Sequence, residues 1–252
     1  MSLKVISSLS LFFLLLCLIF PSHSKELKVA ISHDAPPYII DHAQSGLEVD
    51  IILQSLPGHT VSFLQMGWAE IQGAIAHGIA DAETNVLGQN GKIYYSNNYI
   101  GFVNSAISKK KDNIKIEKIS DLAGHHIIAW QGAHSDLGTQ FAALFHPGKP
   151  LHKYYVEIGD SRKQVQEFWR RDNSVAIIDR AIFSYLSNKQ GHTMDEVDIH
   201  RIFDPVSKFK MAFKEEAIRD AFNRGLSRLC ETGTYASLLK KYKVSQEASI
   251  CE

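Results

Sequence analysis

Residues 60–86 read TVSFLQMGWAEIQGAIAHGIADAETNV, and this stretch decides the fold. The apolar run TVSFLQM (60–66) is typical of a strand. In GWAEIQGAIAHG (67–78) apolar residues recur at helical spacing, and Gly78 stands where a helix C-cap favours glycine. IADAETNV (79–86) then predicts a second strand. The order strand, helix, strand predicts two parallel strands joined by a crossover helix.

The segments on both sides continue this alternation. ELKVAIS (26–32) predicts a strand and GLEVDIILQSL (46–56) a helix, which completes a βαβαβ unit. Downstream, the extended stretch YIGFVNSAISKK (99–110) leads to a second set of alternating elements. The strands predicted there are 125–132, 151–159 and 174–180, and the helices are 133–145, 161–172 and 181–189.

We therefore predict an α/β protein of two lobes, each a mostly parallel sheet flanked by helices. The chain returns through RIFDPVSKFKMAF (201–213), so lobe 1 combines residues 25–104 with 207–252 and lobe 2 is 105–206. Loops at the carboxyl ends of parallel strands collect binding groups, which places a ligand cleft between the lobes. The candidate loops are 34–38, 67–68, 83–89, 131–135 and 179–180.

The first 24 residues have the pattern of a secretory signal. Lys4 precedes an apolar run (5–20), and PSHS (21–24) places small residues before a cleavage point near Ser24. The alternative, a permanent membrane anchor, is disfavoured because the run is short for a span and ends in a proline. The expected location is the periplasm.

Composition excludes several classes of protein. Lys and Arg together number 27, as do Asp and Glu, so no basic excess points to nucleic acid. Cys230 and Cys251 remain after signal cleavage, and in an oxidising compartment such a pair favours a disulfide over two free thiols. Phosphate-loop, zinc-helix and nucleophile-elbow motifs do not occur, so the sequence predicts no cofactor and no metal.

Seven segments stand out in order along the chain, namely APPY (35–38), SGLEVDII (45–52), GWAEIQGAIAHGIADA (67–82), YYSNNYIG (94–101), ISDLAGHHIIAWQGAHSD (119–136), SVAIIDRAIFSYL (174–186) and ETGTYASLLKKY (231–242). Together they resemble family 3 of the bacterial solute-binding proteins, the periplasmic polar amino-acid-binding components of ABC transporters. The resemblance covers about Leu27 to Val244 and implies a type II periplasmic-binding-protein fold, a monomer whose lobes close on a ligand, and a partner permease.

The resemblance also implies roles for individual residues. Trp68 matches an aromatic platform for the ligand, although a core position is the alternative. Tyr38 matches a second aromatic wall, whereas Asp34 is equally compatible with a ligand contact and a loop role. Asp179 matches the carboxylate that pairs with a ligand ammonium, with Arg180 as the alternative partner.

The turn Gln131–Ser135 matches one whose backbone N–H groups suit an anion. Ala133 and His134 replace hydroxyl-bearing residues there, so the resemblance carries over the backbone contacts more firmly than side-chain ones. Ser135 is compatible with a simple helix cap.

ADAETNVLGQNGKIYYSNNY (80–99) departs from the family pattern. Amino-acid binders of the family carry an arginine here that forks onto the ligand carboxylate, and this stretch has none. Gln89 or Lys92 lies nearest the missing position, while Glu83 and Asn85 add acceptors. The sequence therefore predicts a ligand other than a standard α-amino acid, with a cationic or hydroxyl-rich head.

The leading hypothesis is a binding protein, not an enzyme, that delivers a small polar, amino-acid-like solute to an ABC importer. Two alternatives remain. One is a dehydratase-like enzyme on the same scaffold, with Glu83 or Asp179 as its acid. The other is an orphan sensor that reports ligand to a membrane partner. The predicted ligand contacts are Asp34, Tyr38, Trp68, Glu83, Asn85, Lys92, Gln131, Ala133, His134 and Asp179.

Overall fold

The structure is a computed structural model that describes residues 26–86, 92–203 and 206–251. The predicted signal sequence and Gln89 lie outside the described residues. The strands are β1 (Leu27–Ser32), β2 (Val61–Met66), β3 (Ala82–Val86), β4 (Tyr94–Phe102), β5 (Asn104–Lys109), β6 (His126–Ala129), β7 (Tyr155–Glu157), β8 (Ser174–Asp179), β9 (Val197–His200) and β10 (Ser207–Phe213). The α-helices are α1 (Leu47–Ser55), α2 (Trp68–Ile71), α3 (Ala133–Asp136), α4 (Gly138–Phe145), α5 (Ser161–Arg170), α6 (Arg180–Lys189), α7 (Glu216–Glu231) and α8 (Thr234–Lys241).

The strands form two five-stranded sheets, in the orders β2-β1-β3-β10-β4 and β7-β6-β8-β5-β9. In each sheet the first three strands pair in parallel, and the fourth, β10 or β5, pairs antiparallel with both of its neighbours, so both sheets are mixed. Helices flank both sheets, and the predicted fold class is confirmed. We call the part with the first sheet lobe 1 and the part with the second lobe 2; the boundaries predicted at 104/105 and 206/207 stay a prediction.

The chain crosses between the sheets at Val103, between β4 and β5, and returns between β9 and β10. The Val103 N–H donates to Asp179 Oδ2 at 2.7 Å, and the Arg180 N–H donates to the Val103 carbonyl at 3.1 Å. Both contacts tie the crossing to the start of α6, so the end of β8 lies at the junction of the lobes.

The helix predicted over 67–78 is wrong beyond its first turn, since α2 ends at Ile71. Gly73 has φ +131°, which is far from helical, and Glu83 Oε1 accepts the N–H groups of Gly73 at 3.1 Å and Ile75 at 2.7 Å. A helix through these positions would use both N–H groups in its own ladder. Gly78 is left-handed, at φ +71°, but it follows a run of turns, so the prediction that it caps this helix is wrong.

The C-terminal tail returns across lobe 1. Cys230 in α7 and Cys251 form the predicted disulfide. The tail passes so close to β4 that a Cβ on Gly101 would lie 2.5 Å from the Ala248 carbonyl oxygen, which only glycine permits. Glu247 in the tail contacts lobe 2 through ion pairs with Arg180 and Arg201.

Candidate functional site

A cleft lies between the lobes and is lined from both of them. Lobe 1 contributes Tyr38 and Trp68, and lobe 2 contributes Trp130, Gln131 and Asp179. The cleft encloses about 850 Å³, open solvent included. It lies at the carboxyl ends of the parallel strands, because the loops after β1, β2, β6 and β8 all reach it.

Aromatic rings in mutual contact form the lobe 1 wall. Tyr38 packs on Phe102 with ring centroids 4.5 Å apart, Phe102 on Phe209 at 5.5 Å, and Phe209 on Trp68 at 5.9 Å. Each ring buries apolar area and presents either a π-face or an edge to the cleft. The wall is therefore suited to an alkyl chain, a ring or a cation.

Trp68 also reaches across to lobe 2. A Cβ on Gly132 would lie 3.7 Å from Trp68 Cδ1, so the ring sits against this glycine. Gly132 has φ +88°, a conformation that favours glycine, at the turn before α3. The two lobes thus meet at one edge of the cleft.

Asp179 ends β8, caps α6 and lines the cleft. Its Oδ1 accepts the N–H groups of Ala181 at 2.9 Å and Ile182 at 3.0 Å, and its Oδ2 accepts that of Val103. Burial raises the pKa of this carboxyl to about 6, against the lowering effect of those N–H groups. Arg180, the alternative partner, pairs with Glu247 instead.

Glu48, in the first turn of α1, is a second buried carboxyl at the cleft and was missed by the sequence reasoning. Its Oε1 accepts Tyr99 Oη at 2.5 Å and Asn85 Nδ2 at 3.0 Å. Burial raises its pKa to about 7. The signal was present in the sequence, because Glu48 shares helical spacing with the apolar Ile52 and so lies on the core-facing stripe.

The Tyr38 hydroxyl is buried at the cleft beside the Asp179 carboxylate. Burial raises the pKa of Tyr38, and the charge of Asp179 and a side-chain hydrogen bond to it raise that pKa further. Because Tyr38 lines the cleft, its oxygen is a candidate contact for a bound molecule.

The turn predicted to bind an anion already binds a carboxylate of the protein itself, that of Glu157. Glu157 in β7 accepts the Gly132 N–H at 2.8 Å through Oε2 and the His134 N–H at 3.4 Å through Oε1. Its Oε1 also contacts His134 Nδ1 and Tyr155 Oη, each at 2.6 Å. Ala133 is fully buried, and its N–H donates to the Trp130 carbonyl.

The structure brings six of the ten predicted contacts together at the cleft, namely Asp34, Tyr38, Trp68, Asn85, Gln131 and Asp179. Asp34 also has a loop role, because it accepts His42 N–H and Gln65 Nε2. The other four, Glu83, Lys92, Ala133 and His134, are outside the cleft lining, and Lys92 is exposed. Ligand contact by any of the ten stays a prediction.

Two classes of feature are absent from the described residues. Their helices include none that is long and apolar enough to cross a membrane. Within the same ranges, no cluster of three His, Cys, Asp or Glu side chains is placed to hold a metal ion.

The family model described as "Bacterial extracellular solute-binding proteins, family 3" matches residues 27–245. Among solved structures, an ABC uptake transporter substrate-binding protein from Streptococcus pneumoniae with bound histidine is 15% identical, with TM-score 0.71, and the match covers 89% of this chain and 94% of that one. No curated protein matches the chain in sequence.

Two further solved structures have the same fold, and one of them is a sensor domain. A histidine kinase sensor domain with similarity to periplasmic binding proteins is 16% identical, with TM-score 0.66, and the match covers 86% of this chain and 96% of that one. The GluR0 ligand-binding core from Nostoc punctiforme in complex with L-glutamate is 17% identical, with TM-score 0.63 and coverage of 86% and 98%. At such identities the likeness shows the fold alone.

Proposed function

Since the chain belongs to family 3 of the bacterial extracellular solute-binding proteins, we propose that it captures a small polar solute between its lobes and delivers it to an ABC importer. The protein acts as an exported monomer in the periplasm, and its partners are the permease subunits at the inner membrane. Binding and release involve no covalent chemistry.

The observation that carries this proposal is the cleft lined from both lobes. Trp68 of lobe 1 meets Gly132 of lobe 2 at its edge, and Asp179 joins the cleft to the crossing at Val103. A solute in this cleft contacts both lobes only when they are closed, so its binding shifts the balance from open to closed. A permease that recognises the closed form then receives only loaded protein.

Sensing is the second candidate function, favoured by the likeness to a histidine kinase sensor domain. Both functions use the same closure of the lobes on a ligand. They differ in the partner that recognises the closed form, which is a permease in import and a signalling protein in sensing. Uptake of a labelled ligand by cells of the source organism separates them. Loss of uptake on deletion of this gene supports import, whereas intact uptake with a lost transcriptional response supports sensing.

Ligand binding itself is tested by thermal-shift screening of small amines, amino acids, polyols and carboxylates. A ligand present at about 100 times its Kd adds roughly 2.7 kcal/mol of stability, which is a clear rise in Tm. Trp68→Ala should remove most of that rise. Trp169→Ala is the matched control, because this ring stacks on His192 at 3.8 Å, outside the cleft lining. An unchanged ligand response in Trp68→Ala would place binding elsewhere.

A further inference from the structure

The charged groups that line the cleft are nearly all negative. Asp34, Glu48 and Asp179 contribute carboxyls, and among the described residues no lysine or arginine lines the cleft. His33, at its exposed rim, is the one basic side chain there among the described residues. Residues 87–91, which are outside the description, read LGQNG and contain no charged side chain.

The buried carboxyls lack a cation. Every described hydrogen-bond donor to Glu48 and Asp179 is uncharged, being a backbone N–H, an amide or a hydroxyl. The relative exposures are 1% for Glu48 and 3% for Asp179, so water screens neither charge. A buried charge without an opposite charge is costly, and a cation bound in the cleft offsets that cost.

The groups that would receive a solute carboxylate are engaged elsewhere. Arg180 is paired with Glu247, and Lys92 is exposed and outside the cleft lining. The N–H groups of Gly132 and His134 are held by Glu157. A carboxylate in the cleft would face Asp179 and Glu48 without a cationic partner, and like charges at close range repel strongly.

The aromatic wall supplies the remaining recognition. The rings of Trp68, Phe209, Phe102 and Tyr38 are in contact along lobe 1, and aromatic faces attract organic cations. The Tyr38 hydroxyl, which lies beside Asp179 in the cleft lining, adds a buried oxygen that can accept a hydrogen bond from an ammonium group.

We propose that the solute is a small organic ammonium ion that carries no carboxylate, held by Asp179 and Glu48 against the aromatic wall of lobe 1. This inference rests on the proposed function and names the chemical class of its solute. The same arrangement rejects standard α-amino acids, because their carboxylate finds no positive partner.

Matched pairs that differ only by the carboxylate provide the test. Histamine is compared with L-histidine, agmatine with L-arginine and cadaverine with L-lysine, by thermal shift and by isothermal titration calorimetry on the mature protein. We expect at least one amine to bind about tenfold or more tightly than its amino acid. An amino acid that binds as tightly as its amine, or more tightly, overturns the inference.

Asp179→Asn should weaken binding of the best amine by about 30-fold, because the amide oxygen keeps the α6 cap while the charge is removed, together with the acceptor of the Val103 N–H. The matched control is Asp160→Asn, since Asp160 caps α5 in the same way, through the N–H groups of Arg162 and Lys163, but is outside the cleft lining. The affinity of Asp160→Asn for the same amine should differ from that of the wild type by less than about twofold. If Asp179→Asn does not fold, Glu48→Gln carries the same expectation, and unchanged affinity in the folded variant overturns the inference.

The remaining outcomes separate this inference from the proposed function. If none of the amines binds but a polyol or a carboxylate does, the inference is overturned and the binding function stands. If no solute in the whole panel raises Tm or produces heat, both are overturned.

Discussion

Glu48 and Asp179 are carboxyls whose pKa values are raised by burial toward neutral pH. Desolvation disfavours the charged form, and the surrounding N–H, amide and hydroxyl donors recover only part of that cost. The pKa of Glu48 is raised to about 7 and that of Asp179 to about 6. Near neutral pH the ligand-free protein therefore carries destabilising buried charge at the place where we propose that a cation binds.

We compare the free energy of unfolding of Glu48→Gln with that of the wild type, both without ligand. The difference should favour the variant more at pH 8 than at pH 4.5. A raised pKa contributes stability that is fully present below the unfolded value of 4.5 and is lost as pH rises through about 7. That loss is about 3 kcal/mol for Glu48, and glutamine does not undergo it. Urea unfolding of both proteins at the two pH values measures the change.

The control for this prediction is Glu117→Gln, which alters an exposed glutamate outside the cleft lining. Glutamine at 48 retains an oxygen that accepts the Tyr99 hydroxyl, so the pH-dependent part of the difference isolates the charge. A stability difference between Glu48→Gln and wild type that is the same at both pH values would contradict the buried-charge argument.

Six of the predicted contact residues line the cleft, but the sequence did not predict their hydrogen-bond partners. Glu83 was predicted to contact ligand because it is polar in a strand pattern, and the structure gives it backbone N–H groups of Gly73 and Ile75 instead. Asp179 was expected to need a cation or Arg180, yet three backbone N–H groups reach it. Such donors have no signal in the sequence, because every residue except proline carries an N–H.

At the scale of elements, helices α1 and α7 approach each other closely at Gly225. A Cβ at this position would lie 1.9 Å from the Ser55 carbonyl oxygen at the end of α1. The obstacle is backbone, which cannot rotate away as a flexible side chain does. Gly225 therefore sets the distance between the two helices.

Gly225→Ala should lower the free energy of unfolding by about 2–3 kcal/mol, because α7 has to move away from α1 and loses packing. The control is Gly58→Ala, which has no neighbour within 4 Å and no positive φ, so its effect should stay within about 0.5 kcal/mol. Chemical denaturation measures both variants. Equal effects of the two substitutions would show that the helices do not pack as described.

Element boundaries were predictable where local pattern and tertiary contacts agree. The first strand was predicted over 26–32 and forms over Leu27–Ser32, and the helix predicted over 46–56 forms over Leu47–Ser55. The helix predicted over 67–78 stops early, where Gly73 has φ +131° and the Glu83 carboxylate, from the following strand, accepts two backbone N–H groups. Helical periodicity does not report competition from a side chain in the next element.

At the scale of the whole molecule, the proposed closure predicts that both lobes respond to one ligand. We expect the best amine of the matched pairs to slow amide hydrogen exchange in lobe 1 segments 33–38 and 66–68 and in lobe 2 segments 130–132 and 159–164 together. These segments reach the cleft from opposite sides, and closing removes both from solvent. Hydrogen-exchange mass spectrometry with and without the amine measures this effect.

Trp68→Ala is the control for the exchange experiment, because it removes the ring that meets lobe 2 at Gly132. Protection in this variant should fall in both lobes. If the amine protects amides of only one lobe of the wild type from exchange, closure is contradicted and the ligand binds to a single lobe.

The two-lobe architecture itself was predictable because the order of elements specifies it. Alternating strands and helices predict parallel strands, and each sheet contains three of them. The antiparallel strands β10 and β5 depend on the chain crossing twice between the sheets. Pairings of such long sequence separation are fixed by global packing and not by local pattern.

The C-terminal tail is a third connection between the two lobes, in addition to the two crossings of the chain. The polypeptide crosses between the lobes twice. Two such attachments define an axis, about which the lobes can bend and twist relative to each other. The disulfide joins the tail to α7, and ion pairs of Glu247 with Arg180 and Arg201 join it to lobe 2. Salt screens ion pairs, so we expect high ionic strength to weaken the attachment of the tail to lobe 2 and low ionic strength to strengthen it.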